Sequence, residues 1–436
     1  MKRLLLVVLC AFLFLGVGCQ SHSEPIIVLI TPKPSPSPTP VKTASPETTP
    51  TPTPTPVPQP VQASIVVAGD LLCLSAQLSA ARSGGEYNFD ECFALIKDKI
   101  SAADLAIGNL ETLVAEDYPF TQPNADSDDA ADTADSEAAD NTAPPADTTS
   151  AADSPAGTDP AAAPSPTKRP NPRINAPESF LSALTGCGFD VLTTANNHVY
   201  DYKADGLRKT LQKLDEHGFA HTGAYAKEAD RVPLVMDAGG INVAICAYTD
   251  VLNNRLGSDA FMVDRYDKDL VAADIAAARK AGADYVIVCI HWGVEHTHTP
   301  TRAQHKMAAY IAEAGANIIL GSHPHCTQPF EAIETNHGSV PVLYSLGNFI
   351  SSMSKTMHKD GVLVNISLEK DVVSGETTLT SLTYTPTFCA SSSDAGRYVI
   401  YPADSASILQ SDMAPTLSGS RERTIGVLTE NAATAE

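Results

Sequence analysis

The residues best equipped for chemistry sit where strand-like runs stop. Asp70 ends IVVAGD, Asn109 and Glu111 end LAIGNLE, and Asn196, Asn197 and His198 end VLTTANNH. His291 ends VIVCIH, and His323 and His325 follow IILGS. In α/β sheets, ligands and reactive groups gather at the carboxyl ends of strands, so these five ends point to one shared site. The residue types also fit together. Carboxylates, an amide and several imidazoles form a mixed oxygen and nitrogen set that suits divalent Mn, Fe, Zn or Co, whereas Ca takes oxygens alone. A carboxylate bridging two cations about 3.5–4 Å apart, with imidazoles on either side, stabilises the attacking and leaving oxygens when a phosphate ester or an amide is hydrolysed.

Taken singly, each residue has a structural explanation. Asp70 can cap a helix, Asn109 can turn the chain after Gly108, and Glu111 can start a helix. A lone His198 or His291 is more often a hydrogen-bonded structural histidine. The pair His323 and His325 resists such a reading, because residues i and i+2 of an extended segment point the same way and Pro324 favours that form. His296 and His298 are also one residue apart, but they follow a strand end by several residues and belong to a loop rim, touching substrate or nothing. Trp292 either packs or walls a cleft.

The elements that must position these residues alternate between short β-rich runs and helical stretches. Helices are expected over Asn88–Ser101, Pro177–Cys187, Lys203–His217, Asp267–Ala281 and Thr301–Ala314, with an antiparallel pair turning at Gly239-Gly240. Early strands that alternate with helices, followed by strands that pair as hairpins, predict an α/β fold with a mixed sheet or two sheets. The folded domain is expected over 63–390, interrupted by an acidic insert at 116–170 whose Asp, Ala, Thr and Pro cannot build a core and read as disordered. Residues 391–436 are polar and Ser/Ala-rich and are expected to form a peripheral tail.

Composition places this domain outside a membrane. Residues 1–19 read as an export signal with a basic start, an apolar run and small residues before Cys19. The segment 20–62 is rich in Pro, Ser and Thr and reads as a tether. The formal charge of -22 lies largely in the insert and argues against nucleic acid, which needs clustered Lys and Arg. Of nine cysteines, Cys10 and Cys19 belong to the signal; the other seven cannot all pair within one chain, and without a CxxC pair they make no zinc knuckle.

The segments VVAGDLL, AIGNLET, TTANNHVYDY, VIVCIHWGVE, LGSHPH and VLYSLGNFI, in this order, resemble the CapA-type poly-γ-glutamate capsule proteins, a branch of the calcineurin-like metallophosphoesterase superfamily. The resemblance implies a four-layer αββα sandwich with mixed sheets and one or two divalent ions. It implies that Asp70 is the first-motif aspartate, Glu111 the bridging carboxylate, Asn197 an amide-oxygen ligand and His198 the acid toward the leaving group. His291 and His323 would complete the second metal and His325 would face the first. Asp201 would orient His198, while Asn109, Asn196, Glu295 and Lys203 would support the site or meet substrate; Lys203 otherwise merely starts a solvated helix. The signal resembles that of a bacterial lipoprotein lipidated at Cys19, despite Gly16 where leucine is preferred. One departure stands out: Leu72 occupies the histidine position of the superfamily's Asp-x-His, so the first metal loses a ligand. The expected role is synthesis, export or retention of an anionic cell-surface polymer beside membrane-bound synthase subunits, either as a metal-dependent hydrolase of phosphoester or amide bonds or as a non-catalytic, metal-assisted binding factor.

Overall fold

A computed structural model describes residues 58–122 and 172–430. The signal with Cys19, nearly all of the tether and most of the acidic insert lie outside these residues. Strand β1 (Val61–Leu71) leads to β2 (Leu105–Leu110), helix α1 (Glu178–Cys187), β3 (Val191–Thr193), α2 (Lys203–Glu216) and β4 (Ala220–Thr222). The hairpin β5 (Leu234–Ala238) and β6 (Ile241–Thr249) is followed by α3 (Lys268–Lys280), β7 (Tyr285–His291), α4 (Arg302–Glu313) and β8 (Ile318–Ser322). The later strands are β9 (Thr327–Thr335), β10 (Gly338–Leu346), β11 (Asn348–Ile350), β12 (Asp360–Lys370), β13 (Thr377–Ala390) and β14 (Val399–Pro402), and helix α5 (Ala414–Thr429) comes last.

Two mixed sheets result. The first runs β14-β13-β12-β1-β2-β3-β4, with β11 parallel to the end of β1. Its β1, β2, β3 and β4 are parallel neighbours, and β12, β13 and β14 add antiparallel strands. The second runs β9-β10-β8-β7-β6-β5, parallel at its centre and antiparallel at both edges.

The continuous apolar runs exist because both faces of each central strand are covered. Along β1, Ile65 and Val67 enter the core between the sheets, while Val66 and Ala68 face α1 and α2 through Phe180, Leu184, Leu207 and Leu211. Along β6, Val243 and Ile245 enter the shared core, whereas Ala244 and Cys246 meet Val271 and Ile275 of α3 and Ile311 of α4. The layers are therefore helix, sheet, sheet, helix. Local signals set the helix starts: Asp267 Oδ1 caps α3 by accepting from the amides of Asp269 and Leu270, and Thr301 with Gln304 forms a capping box on α4.

Two expectations fail. The helix expected over 88–101 is two short helices, Asp90–Phe93 and Lys97–Ser101, joined by i to i−3 bonds such as Ile96 to Phe93. The expected peripheral tail is also folded, through β14 and α5. Leu417, Ser420, Thr424 and Leu428 form the buried stripe of α5, and Leu428 reaches the core between the sheets. Asp360 of β12 accepts from Ser420 Oγ at 2.6 Å and from Arg423 Nε and Nη2 at 2.6 and 2.9 Å, fastening the helix. The stripe carries only two large apolar residues, which is why composition alone reads as surface. All seven described cysteines are free, and no helix among the described residues is long and apolar enough to cross a membrane.

Replacing Leu428 by Ala should cost about 2–4 kcal/mol in urea unfolding, the range for a buried leucine. An unchanged midpoint would mean that α5 is peripheral after all.

Candidate metal centre

Strand register brings the polar residues into two facing rows. In the first sheet Asp70 lies opposite Asn109 on β2 and opposite Asn348 on β11, and Asn109 lies opposite Thr193. In the second, His291 lies between Thr249 and Ser322. The parallel strands of both sheets end at the same edge. The row beside Asp70 depends on Gly69, where a Cβ would stand 2.0 Å from the carbonyl oxygen of Gly347, because Asp70 N donates to that oxygen at 3.1 Å. Only glycine lets the chain entering β11 approach β1 this closely.

At the centre lies Glu111, fully buried, with neither carboxylate oxygen hydrogen-bonded. His291 Nε2 is 3.6 Å and His325 Nε2 3.8 Å from Glu111 Oε1, one imidazole from each sequence motif. Asp70, equally buried, is 3.4 Å from His325 Nδ1 and accepts from Asn109 Nδ2 at 2.8 Å. Asn197 Oδ1 lies 3.1 Å from His291 Nε2, and Ser322 Oγ lies 2.9 Å from His291 Nδ1. Buried polar groups without partners are rare, and Glu111 is joined by His323, whose Nδ1 is also buried and unbonded. These are the groups a divalent cation would satisfy. Glu111, His291 and His323 form one possible ligand set and Asp70, Glu111 and His325 another, each with its atoms within 4.8 Å of one another and with Glu111 common to both. The donor chemistry, carboxylates with imidazoles, suits Mn, Fe or Zn.

Electrostatics agree with a site built for positive charge. Burial, and then the neighbouring charge of Asp70, pushes the Glu111 carboxyl well above the usual carboxylate range. Burial, and then the charges of His323 and His325, holds His291 well below the usual imidazole range, and burial holds His323 near 4. His325 goes the other way: burial opposes its charge, but Glu111 and the hydrogen bond to Asp70 outweigh that and raise it to about 10.

His198 stands at the edge of this cluster, near His291, His323 and Glu295. Its Nδ1 is 2.7 Å from Asp201 Oδ2, which also accepts from the amide of Ile174 at 2.9 Å. Asp201 therefore fixes the ring and leaves Nε2 for proton transfer. Asn196 does not present itself to a substrate: its amide donates to the carbonyl of Leu110 at 2.8 Å and accepts from the His198 amide at 3.1 Å, so it shapes the turn. Asn109, likewise buried, links Asp70 to the His291 side of the cleft. Lys203 Nζ bonds Asn254 at 2.8 Å and lies over the Tyr200 ring, so its charge is tied to the rim.

The extended conformation expected at His323 and His325 is replaced by a tight turn. Both residues have left-handed backbone, with φ of 96° and 58°, and Pro324 between them fixes its own φ. The rings therefore diverge, one toward His291 and one toward Asp70, with centroids 6.0 Å apart. Such backbone is uncommon for non-glycine residues and collects at functional sites. Trp292 packs, donating to the carbonyl of Tyr344 at 2.8 Å.

Several contributors escape sequence reasoning. Asn348 Oδ1 lies 3.0 Å from His325 Nδ1, and Asn253 Nδ2 lies 3.4 Å from both nitrogens of His198. His296 Nδ1 lies 2.8 Å from His358 Nε2, beside the His325 ring. Asn348 stands at a strand edge in SLGN and has a positional signal; Asn253 comes from a loop and His358 from a single 3-10 turn, and neither has one.

Two facing mixed sheets flanked by helices, with a buried carboxylate and imidazole cluster at their shared edge, define an αββα protein with a metal-competent centre. The family described as "Bacterial capsule synthesis protein PGA_cap" matches residues 64–140 and 154–353, more than half of the chain, and the chain belongs to that family. It is 32% identical over 206 residues to "Capsule biosynthesis protein CapA" of Bacillus anthracis, covering 45% of this chain and 49% of that one. It is 34% identical over 198 residues to "PGA biosynthesis protein CapA" of Bacillus subtilis, covering 44% and 50%. The chain thus spans about half the length of the curated relatives it matches. Among solved structures it is similar to the calcineurin-like phosphoesterase YfkN of Bacillus subtilis, at 13% identity and a TM-score of 0.43 over 84% of this chain and 98% of that one.

Divalent Mn added to metal-depleted protein should raise its melting temperature, because a dication relieves the repulsion between Asp70 and Glu111. In Glu111→Gln the metal-free protein should be no less stable than wild type, while most of the gain with Mn is lost. An equal Mn-induced gain in both proteins would remove Glu111 from the ligand set.

Proposed function

We propose that this chain is a cell-surface CapA-like protein that acts on an anionic polymer of the poly-γ-glutamate type, as a metal-dependent hydrolase of amide or phosphoester bonds. The observation that carries this reading is Glu111, buried and unbonded between two imidazoles of the second sheet, with the His198 and Asp201 pair nearby. The family and the names of its CapA relatives support the capsule polymer as the context. Glu111, Asn197, His291 and His323 would hold one cation and Asp70, Glu111 and His325 the other. When bound, the cations supply Lewis acidity and lower the pKa of water.

The chain's own residues do the rest. Asn197 and His291 hold the first row against the second; Asn109 fixes the Asp70 carboxylate; and Asp201 accepts from Nδ1–H of His198, orienting the ring so that its imidazolium form would hand the Nε2 proton to the leaving group. The protein and such a polymer are both acidic, so their association depends on cations. Lipidation at Cys19, with the Pro/Ser/Thr-rich segment as spacer, would keep this domain at the outer membrane surface near the polymer synthase.

A second reading, a non-catalytic factor that grips polymer carboxylates through metal, is favoured by Leu72. It is fully buried with Leu74, Ile174 and Met353, so the first motif supplies only one ligand. The two readings separate in one experiment. Mn-loaded protein should shorten poly-γ-glutamate or turn over a generic phosphodiester, and His198→Ala should slow this by about 10²–10⁴-fold, the usual worth of a general acid. Metal-dependent retardation of the polymer without shortening supports the binding role, and equal rates in wild type and variant contradict the catalytic one.

A further inference from the structure

The Asp70, Glu111 and His325 set has three protein donors, and Glu295 stands beside one of them, His325. Its carboxylate oxygen and one nitrogen each of His323 and His325 all lie within 4.8 Å of one another, a third grouping that shares a histidine with each of the other two. Glu295 is half-buried, and its Oε2 lies 3.5 Å from His296 Nε2. It shares no strand with Asp70, so no spacing from the first motif reveals it.

The chain holds this carboxylate in place by two fixed turns. After His291 ends β7, Gly293 takes φ of 89°, and a Cβ there would meet the side chain of Gln304 at 2.6 Å. Gln304 is itself buried, donates to Gln328 Oε1 at 2.8 Å, and cannot yield freely. His296, with φ of 63°, then donates its amide to the carbonyl of Pro324 at 2.9 Å. The loop carrying Glu295 is thus bonded directly to the turn carrying His323 and His325.

We propose that Glu295 ligates the first cation, beside His325, adding a fourth protein donor to a set that otherwise has three. The proposal rests on the two-cation reading of the site. It makes the two positions chemically unequal: the first has Asp70, Glu111 and Glu295 with His325 alone, and the second has His291 and His323 with Glu111 and Asn197. An oxygen-rich set favours harder ions such as Mn²⁺, and an imidazole-rich set favours Zn²⁺.

Equilibrium dialysis against Mn²⁺, with bound metal counted by elemental analysis, tests this without any substrate. Wild type should hold two Mn²⁺ per chain; Glu295→Gln should hold one, the affinity of the other falling by about 100-fold or more, beyond the loss typical of an outer partner. Glu295→His should restore the second ion and shift that position toward Zn²⁺ over Mn²⁺, which also shows that the variant folds. Two Mn²⁺ of unchanged affinity in Glu295→Gln would overturn the assignment while leaving the two-cation reading intact. A wild type that binds no metal would overturn both, and one that binds a single Mn²⁺ retained by Glu295→Gln would overturn the role of Glu295.

Discussion

Two carboxylates, Asp70 and Glu111, are wholly withdrawn from water at the edge where the two sheets meet. Burying one unpaired carboxylate is expensive, and burying two side by side is more so. The rest of the site answers that constraint. Imidazoles from two separate segments, His291 and His325, flank the pair, and Asn109 donates to Asp70. A cluster buried at so high a cost is competent to bind positive charge. Stability alone would have been better served by apolar residues of the same volume.

The architecture follows from that need for convergence. No single strand could bring these donors together, since each contributes only its last residue or two. Parallel strands ending at one edge let Asp70, Asn109 and Thr193 line up on one sheet and Thr249, His291 and Ser322 on the other. The shared apolar core, from Ile65 and Val67 to Val243, Ile287 and Leu320, fixes the distance between the rows. Gly69 and the turn at His323-Pro324-His325 then adjust the last few ångströms, the first by close approach and the second by left-handed backbone.

Much of this was legible in the chain. The strand ends marked Asp70, Glu111, Asn197, His198, His291, His323 and His325, because buried parallel strands leave an apolar run whose polar terminus is conspicuous. Spacing also signalled Gly239-Gly240 as a hairpin turn, and β5 and β6 pair around it. Less legible were features that depend on tertiary packing. Helix α5 buries Ser420 and Thr424, which look like surface residues until Asp360 is seen to receive Ser420 and Arg423. The divergence of His323 and His325 needed left-handed backbone at both residues, which the extended preference next to proline opposes. Asn196 and Lys203 had the right types for a substrate, but their hydrogen bonds belong to the turn and the rim.

The claim on which the account turns is that Glu111 lies between two cations. Anomalous diffraction from crystals grown with Mn²⁺ locates them directly. The account predicts two peaks about 3.5–4 Å apart astride the Glu111 carboxylate, one beside His291 and His323 and the other beside Asp70 and His325. An ordered site with no anomalous peak, and with Glu111 held only by the imidazoles around it, would contradict it.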